Sequence, residues 1–450
     1  MRKYFGTDGI RGKANLFPMT PDLAMKLGQA AATIFRRGEK KHKIVIGKDT
    51  RISSYMFEYA IASGICSMGV DVVLVGVLPT PAISFITRSL RADAGIVISA
   101  SHNPYYDNGI KFFSSDGYKL PDELELEMER FIDEDKAVLE AVVGRVTRIE
   151  TAIGRYVEFA KSSFDKNYDL SGLKIVVDCA NGAMYKVAPM AFAELGADVV
   201  VINDKPNGYN INDGCGAIHP ETVAKKVIEV GADLGIAFDG DGDRAIFVDE
   251  YGVIVDGDYI LGICGKFMKE KGLLNQNTLV ATVMSNLGFE RSLNKIGINI
   301  IRCDVGDRYV IEQMKAFGLN LGGEQSGHII FSDYNTTGDG LITALQLLKV
   351  IVTTGKKLSE LQSFISVYPQ VLKNASVSKK VPIDDLKNTS KLIKEFSDQL
   401  GKDGRVFVRY SGTENKIRVM VEGTDYDKID YIANSIITTA VKEIKNRGDV

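Results

Sequence analysis

Short apolar runs and longer amphipathic segments alternate along most of the chain, and they do so in the same order three times. Short apolar runs bounded by turn residues predict buried strands, and segments with an apolar residue every three or four positions predict helices. Each copy follows the order strand, helix, strand, helix, strand, and its third strand ends in a polar loop. The predicted strands are residues 43–46, 71–75, 94–98, 174–178, 198–202, 233–238, 278–282, 299–303 and 319–321.

Strands that alternate with helices predict βαβ units, in which the strands pair largely in parallel. The predicted helices are residues 20–37, 54–68, 186–195, 220–230, 289–296 and 308–317, with another that begins at Pro79-Thr80-Pro81. Residues 2–12 are predicted to form a loop. After residue 369 the pattern changes to strands at 371–377, 405–409 and 417–422 and helices at 384–400 and 428–445.

This pattern predicts an α/β fold: three similar α/β domains with largely parallel mixed sheets, plus a smaller C-terminal α+β domain, around a central cleft. The polar loops of the three copies would each face that cleft. The predicted domains are residues 1–153, 154–254, 255–369 and 370–450.

Length and composition agree with a globular protein of several domains. The chain has 450 residues, too many for one hydrophobic core, and 45% of them are hydrophobic. A net charge of -3 gives no reason to expect binding to nucleic acid or to an anionic membrane. The five scattered cysteines form no CxxC pair, and the polar N-terminus is no signal peptide, so a reducing, cytoplasmic compartment is expected. No apolar run approaches the length of a membrane span.

The loop Ser99-Ala100-Ser101-His102-Asn103-Pro104 follows the apolar run 94–98. Pro104 cannot continue a ladder of hydrogen bonds and favours an extended conformation at Asn103. Two hydroxyls and an imidazole are thus expected on a stiff loop at the carboxyl end of a strand, where open α/β sheets bind ligands. The residues of this loop alone fit an ordinary Asn-Pro turn capped by serines equally well.

Asp239, Asp241 and Asp243 alternate with glycines after the predicted strand 233–238. Alternate side chains of an extended segment point the same way, and converging carboxylates repel, so a hard divalent metal is expected. An EF-hand loop is rejected, because Arg244 stands where that loop needs glycine and both flanks are strand-like. The remaining alternative is a solvated acidic turn.

The segment Arg409-Tyr410-Ser411-Gly412-Thr413 offers hydroxyls, a glycine and a flanking arginine, and Arg418 follows on the next strand. Such a loop suits a bound phosphate, although an ordinary turn with surface arginines has the same residues. His102 and His328 also lie in candidate loops, where a histidine is more often structural than a proton carrier. Lys111 is by default a solvated cation or a phosphate counter-ion, and it acts as a base only if its pKa is lowered.

Together these loops resemble the α-D-phosphohexomutase family. The segment 99–104 is similar to the family's phosphoserine loop, with Ser101 as the phosphorylated residue. The three aspartates are similar to its Mg²⁺ ligands, which the phosphoserine completes. Gly323-Glu324-Gln325-Ser326-Gly327-His328 resembles its sugar-binding loop, and the segment 409–413 resembles its phosphate-binding loop.

The resemblance implies an isomerase that interconverts glucosamine 6-phosphate and glucosamine 1-phosphate and so feeds amino-sugar and cell-wall precursor synthesis. The implied cofactors are one Mg²⁺ per site, phosphoserine at Ser101, and glucosamine 1,6-bisphosphate as intermediate and activator. A small phosphosugar is the implied partner, and a homodimer is possible. The implied catalytic residues are Ser101, Lys111, His328, Arg11 and His102. The implied substrate-binding residues are Glu324, Ser326, Arg409, Ser411, Gly412, Thr413, Arg418 and Arg244.

Three alternatives stay open from the sequence. The same scaffold could act on mannose or glucose phosphates instead of glucosamine phosphates. The aspartate loop could belong to a non-catalytic Ca²⁺-binding module, or the site could be that of a Mg²⁺-dependent phosphatase. Either Lys111 or His328 could be the main general base.

Overall fold

A computed structural model describes residues 3–6, 8–36, 38, 41–137, 141–411 and 415–446. The chain divides into two compact units, Met1–Met284 with Ile298–Ser363, and Ser285–Gly297 with Phe364–Val450. The fold class predicted from the sequence is confirmed: three α/β domains are followed by a smaller C-terminal α+β domain. The exact domain limits stay a prediction.

The first sheet has six strands in the order β1-β5-β4-β2-β3-β6. These are β1 (Ile10–Lys13), β2 (Lys43–Lys48), β3 (Asp71–Val77), β4 (Ala94–Ile98), β5 (Asp107–Ser114) and β6 (Val146–Arg148). Strands β4, β2, β3 and β6 pair in parallel, whereas β5 is antiparallel to both β4 and β1. Its helices are α1 (Pro21–Ile34), α2 (Ile52–Ser67), α3 (Thr80–Ser89) and α4 (Asp122–Asp133).

The second sheet has five strands in the order β11-β10-β9-β7-β8. These are β7 (Lys174–Asp178), β8 (Asp198–Ile202), β9 (Leu234–Phe238), β10 (Ala245–Val248) and β11 (Ile254–Val255), with helices α5 (Ala152–Lys161), α6 (Val187–Glu194) and α7 (Glu221–Val230). Strands β9 and β10 form an antiparallel hairpin, and the aspartate loop is its turn.

The third sheet has four strands in the order β13-β12-β14-β15. These are β12 (Thr278–Thr282), β13 (Asn299–Cys303), β14 (Leu321–Gly323) and β15 (Ile329–Phe331). The helices of this region are α8 (Gly257–Glu270), α9 (Leu287–Lys295), α10 (Asp307–Phe317), α11 (Gly340–Thr354) and α12 (Leu358–Gln362). Of these, α9 lies in the second compact unit.

The fourth sheet lies in the second unit and has three antiparallel strands in the order β16-β18-β17. These are β16 (Gln370–Ser376), β17 (Gly404–Tyr410) and β18 (Lys416–Gly423), and α13 (Lys387–Leu400) and α14 (Tyr426–Asn446) pack beside them. The predicted helix 384–400 begins later than expected, because residues 383–385 form a separate 3-10 turn.

Three sequence-based assignments need correction. The strand expected at 319–321 is observed at Leu321–Gly323. It does not include Asn320, because the side-chain amide of Asn320 donates to the Leu273 carbonyl and to Asp333. Part of the loop expected at 2–12 is strand β1, which pairs with β5. Strand β5 itself was not predicted, since it begins with the turn-forming residues Asp107-Asn108-Gly109. Helices α4, α5, α8, α11 and α12 were also not predicted.

The threefold repeat is one strand longer than the sequence indicated. In each of the three copies, the last predicted strand pairs antiparallel with the strand that follows it: β4 with β5, β9 with β10, and β14 with β15. Each candidate loop of the first unit therefore connects two paired, buried strands, which hold its ends in place. Among the described residues, no helix combines the length and the apolar character needed to cross a membrane.

Candidate active site

Ser101 lies three residues beyond the end of β4 and is almost fully buried. Its backbone has a φ of +54°, in the left-handed region that residues other than glycine rarely adopt. The Ser101 amide donates to Ser99 Oγ at 2.9 Å, and Ser101 Oγ donates to Asp239 Oδ2 at 2.7 Å. The serine loop therefore presents one hydroxyl directly to the aspartate loop of the next sheet.

Asp239, Asp241 and Asp243 are all buried, and each has a carboxylate oxygen within 4.8 Å of those of the other two. Within the described part of the chain, Asp241 Oδ1 and Asp243 Oδ1 have no hydrogen-bond partner although both atoms are buried. Three converging carboxylates with free oxygens are the donor set that Mg²⁺ prefers. The residues present fit a divalent metal ion.

Repulsion within this cluster acts on the pKa values of its members. Burial raises the pKa of Asp239 well above its usual range, and the Asp243 and Asp241 carboxylates add to this shift. Burial also opposes ionisation of Asp241 and Asp243. Nevertheless, Lys111 holds the pKa of Asp241 below its ordinary value, and His328 and Lys111 do the same for Asp243. The cluster thus depends on nearby cations for its charge.

Lys111 lies in the middle of β5 and is almost fully buried. Its Nζ is 2.8 Å from Asp241 Oδ2, 3.2 Å from Asp8 Oδ2 and 3.8 Å from Asp243 Oδ2. Burial works against its charge, but these carboxylates outweigh burial and raise the pKa of Lys111. Lys111 is therefore a cation paired with carboxylates, and these pairs oppose its action as a free base.

The pKa values of the two histidines in the candidate loops are shifted in opposite directions. His328 Nδ1 is 3.6 Å from Asp243 Oδ2, and its Nε2 is 3.6 Å from Asp307 Oδ2. Although burial opposes it, Asp243 and Asp307 raise the pKa of His328 to about 9. His102 Nδ1 lies 3.3 Å from Ser101 Oγ, and burial together with Arg244 and Arg11 lowers the pKa of His102 to about 4. At neutral pH, His328 carries a proton that His102 lacks.

A second layer of charges surrounds the first, and Arg11 is its only member that was predicted as part of the site. Arg11 and Lys119 both pair with Asp8, and Lys119 also pairs with Asp307 at the start of α10. These ion pairs connect the loops of the first sheet to the third domain, where Asp307 faces His328. No local sequence signal marks Lys119 or Asp307, because their contacts are distant in sequence.

Thr80, at the start of α3, is a further contact that sequence reasoning missed. Its Oγ1 donates to Asp241 Oδ2 at 2.6 Å, and its backbone amide donates to the Asp241 carbonyl at 2.8 Å. Asp241 Oδ2 is thereby occupied by Thr80 and Lys111, which leaves Oδ1 to a metal ion. The sequence signal that could have indicated Thr80 is the helix start at Pro79-Thr80-Pro81. The first backbone amides of a helix have no partner within it, so they suit a carbonyl or an anion.

The remaining predicted residues of the first unit lie near this cluster or in the third domain. The Arg244 amide donates to Asp239 Oδ1 at 3.2 Å, and its Nε is 3.9 Å from Asp243 Oδ1. Glu324 Oε1 accepts from the Gly306 amide at 3.1 Å, which fixes its carboxylate at the end of β14. Ser326 is exposed in the same hairpin loop.

The predicted phosphate-binding loop lies in the second unit, and its Gly412 and Thr413 are outside the described residues. Arg409 and Arg418 are directly opposite one another on β17 and β18. Burial and the Arg418 charge lower the pKa of Arg409. Lys380 Nζ donates to the carbonyl of the buried Ser411 at 2.6 Å. Like charges across a strand pair destabilise a sheet unless an anion compensates them, so this geometry suits a phosphate.

Family models match this architecture along nearly the whole chain. They describe the phosphoglucomutase/phosphomannomutase α/β/α domains I, II and III at residues 2–138, 154–252 and 256–368, and the C-terminal domain at residues 347–439. The chain belongs to the phosphoglucomutase/phosphomannomutase family, which confirms the phosphohexomutase resemblance seen in its motifs.

Among curated relatives, the phosphoglucosamine mutase of Citrifermentans bemidjiense is 56% identical over 448 residues, 99% of both chains. That of Syntrophotalea carbinolica is 56% identical over 441 residues, 97% of this chain and 96% of the relative.

Solved structures show the same fold. A phosphoglucomutase/phosphomannomutase family protein from Burkholderia thailandensis superposes with a TM-score of 0.83 at 25% identity, covering 98% of this chain and 97% of the other. The N-acetylphosphoglucosamine mutase of Aspergillus fumigatus, solved with GlcNAc-6P and magnesium, gives a TM-score of 0.70 at 17% identity, with 98% and 96% covered.

The carboxylate cluster predicts a specific metal-binding defect. Asp241→Asn removes one negative charge while keeping the side chain's shape, so Mg²⁺ affinity should fall by about tenfold or more. Isothermal titration calorimetry with Mg²⁺ measures this. Asp213→Asn removes the same charge from an exposed position of the same domain and should leave the affinity unchanged. Equal affinities for Asp241→Asn and the unmodified protein would exclude Asp241 as a ligand.

Proposed function

We propose that the protein is a phosphoglucosamine mutase, which interconverts glucosamine 6-phosphate and glucosamine 1-phosphate. The observation that carries this proposal is the contact of 2.7 Å between Ser101 Oγ and Asp239, inside a cluster of carboxylates matched by buried cations. The relatives that share 56% of its residues along nearly the whole chain support the choice of sugar. The product would enter amino-sugar nucleotide and cell-wall precursor synthesis.

The reaction is proposed to consist of two phosphoryl transfers through phosphorylated Ser101. In the first, the bond between phosphorus and Ser101 Oγ breaks, and a new bond joins phosphorus to the free hydroxyl oxygen of the sugar phosphate. The hydroxyl proton leaves that oxygen, and Ser101 Oγ gains a proton. The resulting glucosamine 1,6-bisphosphate then returns its other phosphoryl group to Ser101 by the reverse chemistry, which releases the isomeric monophosphate.

Charge compensation is the main task of such a site. Each phosphate monoester carries about -1.5 to -2 charge at neutral pH, and the three aspartates add more. A Mg²⁺ ion held by Asp239, Asp241 and Asp243 would supply Lewis-acid stabilisation of the transferred group's negative charge. Lys111, Arg11 and Arg244 are buried or half-buried cations beside the cluster and would stabilise the rest.

Proton transfer is assigned from the charge states of three side chains. The raised pKa values of Lys111 and His328 favour their protonated forms, which suits donation to an oxygen that leaves phosphorus. His102 is neutral and lies 3.3 Å from Ser101 Oγ, which suits acceptance of a proton there. Because each transfer runs in both directions, every one of these groups would be needed in both protonation states over a full cycle.

Substrate binding is proposed for the remaining predicted residues. Glu324 and Ser326, in the loop between β14 and β15, would hold the sugar hydroxyls. Arg409, Ser411 and Arg418 would bind the phosphate group that does not react, with Gly412 and Thr413 from the same loop. Binding energy from this remote phosphate would support the chemical step as well as affinity.

A cytoplasmic location and a homodimer remain parts of the proposal. Five free cysteines, four of them buried, support a reducing compartment. Sedimentation velocity would determine whether two copies associate.

The proposal predicts a dependence on phosphorylated Ser101. Protein without this phosphate should be silent with Mg²⁺ and glucosamine 6-phosphate alone, and a catalytic amount of glucosamine 1,6-bisphosphate should start turnover by phosphorylating the free hydroxyl. NMR of the sugar phosphates follows the product, and intact mass spectrometry follows the added phosphoryl group. Ser101→Ala should stay silent under both conditions, because it has no acceptor oxygen.

Ser99→Ala is the matched control. The Ser99 hydroxyl accepts from the Ser101 amide and lies near Arg51, but it is not the proposed phosphate acceptor, so its loss should lower turnover less. Normal turnover by Ser101→Ala, or a phosphate located on Ser99, would contradict the mechanism. Glucose 6-phosphate and mannose 6-phosphate, assayed in parallel, test the substrate specificity. Faster turnover of either would assign the protein a different sugar substrate within the family.

The positions of Arg409 and Arg418, opposite one another on β17 and β18, predict a defect in substrate binding. Arg418→Gln keeps a polar side chain with an N–H donor but is shorter and loses the charge, so the KM for glucosamine 6-phosphate should rise by about tenfold or more. Released bisphosphate, measured by ³¹P NMR, should also increase, because the intermediate is held less tightly. Lys373→Gln removes a surface charge from the neighbouring strand and should change neither quantity. An unchanged KM in Arg418→Gln would exclude this loop from phosphate binding.

A further inference from the structure

Arg51 is fully buried at the start of α2, beside the serine loop. Its Nη2 donates to the carbonyl of Ser101 at 3.1 Å and also to the carbonyl of Asn103, and its Nη1 is 3.4 Å from Ser99 Oγ. Its charge is balanced by Asp49, with which Nη1 forms an ion pair. A buried guanidinium that is already paired with a carboxylate is a poor binding group for a substrate phosphate, but a strong fixed donor to backbone carbonyls.

Asn212, from the second domain, donates to the same two carbonyls. Its Nδ2 is 2.9 Å from the Ser101 carbonyl and 3.1 Å from that of Asn103. Asn212 is buried and adopts a φ of +58°. The carbonyls of Ser101 and Asn103 therefore each have two donors, a guanidinium from their own domain and an amide from the domain that carries the aspartates.

Direct packing joins the serine loop to the aspartate loop at the same point. A Cβ placed on Gly240, between Asp239 and Asp241, would lie 2.6 Å from the Ser101 carbonyl oxygen and 2.7 Å from Asn212 Nδ2. Only glycine allows the two loops to approach this closely. The carbonyl that Arg51 and Asn212 bind therefore packs against the aspartate loop, next to the contact that Ser101 Oγ makes with Asp239.

We propose that Arg51 and Asn212 are positioning residues, which fix the left-handed backbone of Ser101 so that its Oγ faces the carboxylate cluster. The expected effect on kcat rests on the proposed function, whereas the expected effect on the Ser101 backbone does not. Residues other than glycine adopt a φ such as +54° only where surrounding contacts determine it, and these two side chains supply such contacts. Small displacements of a reacting group cost large factors in rate.

The kinetic test compares Asn212→Gly with Asn181→Gly. Both asparagines are buried and left-handed, so glycine suits both backbones. Among the described residues, however, the Asn181 side chain bonds within its own domain, to Asn210, Lys205 and Cys215. Asn212→Gly and Arg51→Lys should lower kcat by about tenfold or more with little change in KM, because the substrate-binding groups are untouched. Asn181→Gly should keep both parameters.

A second readout does not depend on activity. Hydrogen exchange in the peptide that contains residues 99–104, measured by mass spectrometry on each folded full-length variant, should be faster in Asn212→Gly and Arg51→Lys and unchanged in Asn181→Gly. Unchanged exchange in the first two variants would overturn the positioning role, as would a kcat equal to that of the unmodified enzyme. Faster exchange in a protein that shows no mutase activity at all would support the positioning role and contradict the proposed function instead.

Discussion

Three buried carboxylates within 4.8 Å of one another constitute the constraint on which the rest of the first unit depends. Such a cluster is unfavourable unless cations compensate it, and the chain supplies them from three domains. Lys111 comes from the first, Arg244 from the second and His328 from the third. Separating these domains would therefore leave buried charges without their partners, and the domains together provide the site's electrostatic environment.

Each of the first two domains also holds the loop of the other. Thr80 of the first domain binds both the carbonyl and a carboxylate oxygen of Asp241, and Asn212 of the second binds the carbonyl of Ser101. The third domain adds the Gly340 amide, which donates to the Gly242 carbonyl at 3.0 Å. Reciprocal contacts of this kind explain how a serine and an aspartate that are 138 residues apart stay within 2.7 Å.

The parts of the site that the sequence predicted are those that are contiguous in it. The serine loop and the aspartate loop each place their reactive groups within a few residues, after strands whose apolar runs are easily recognised. Strand β5 was missed because Asp107, Asn108 and Gly109 suggest a turn, although all three pair with β1. Its Lys111 was expected by default as a solvated cation or a phosphate counter-ion, and it is a buried cation paired with carboxylates.

The remaining site residues could not be predicted, because their roles arise from distant contacts. Asn212 is 111 residues from the carbonyl it binds, and nothing around it distinguishes it from other asparagines of its loop. Arg51 has a weak local signal, an Asp49-Thr50-Arg51 run after a strand, but the burial of its guanidinium appears only in three dimensions. Lys119 and Asp307 likewise join the site only through contacts distant in sequence, with one another and with Asp8 and His328.

The central claim is that a phosphate on Ser101 and a metal ion held by the three aspartates share one site. ³¹P NMR of the phosphorylated protein with Mn²⁺ in place of Mg²⁺ tests it directly, because a paramagnetic ion broadens only nearby nuclei. The account predicts that stoichiometric Mn²⁺ broadens the phosphoserine resonance of the unmodified protein and leaves it sharp in Asp239→Asn. A resonance that stays sharp while the unmodified protein binds Mn²⁺ would contradict the account.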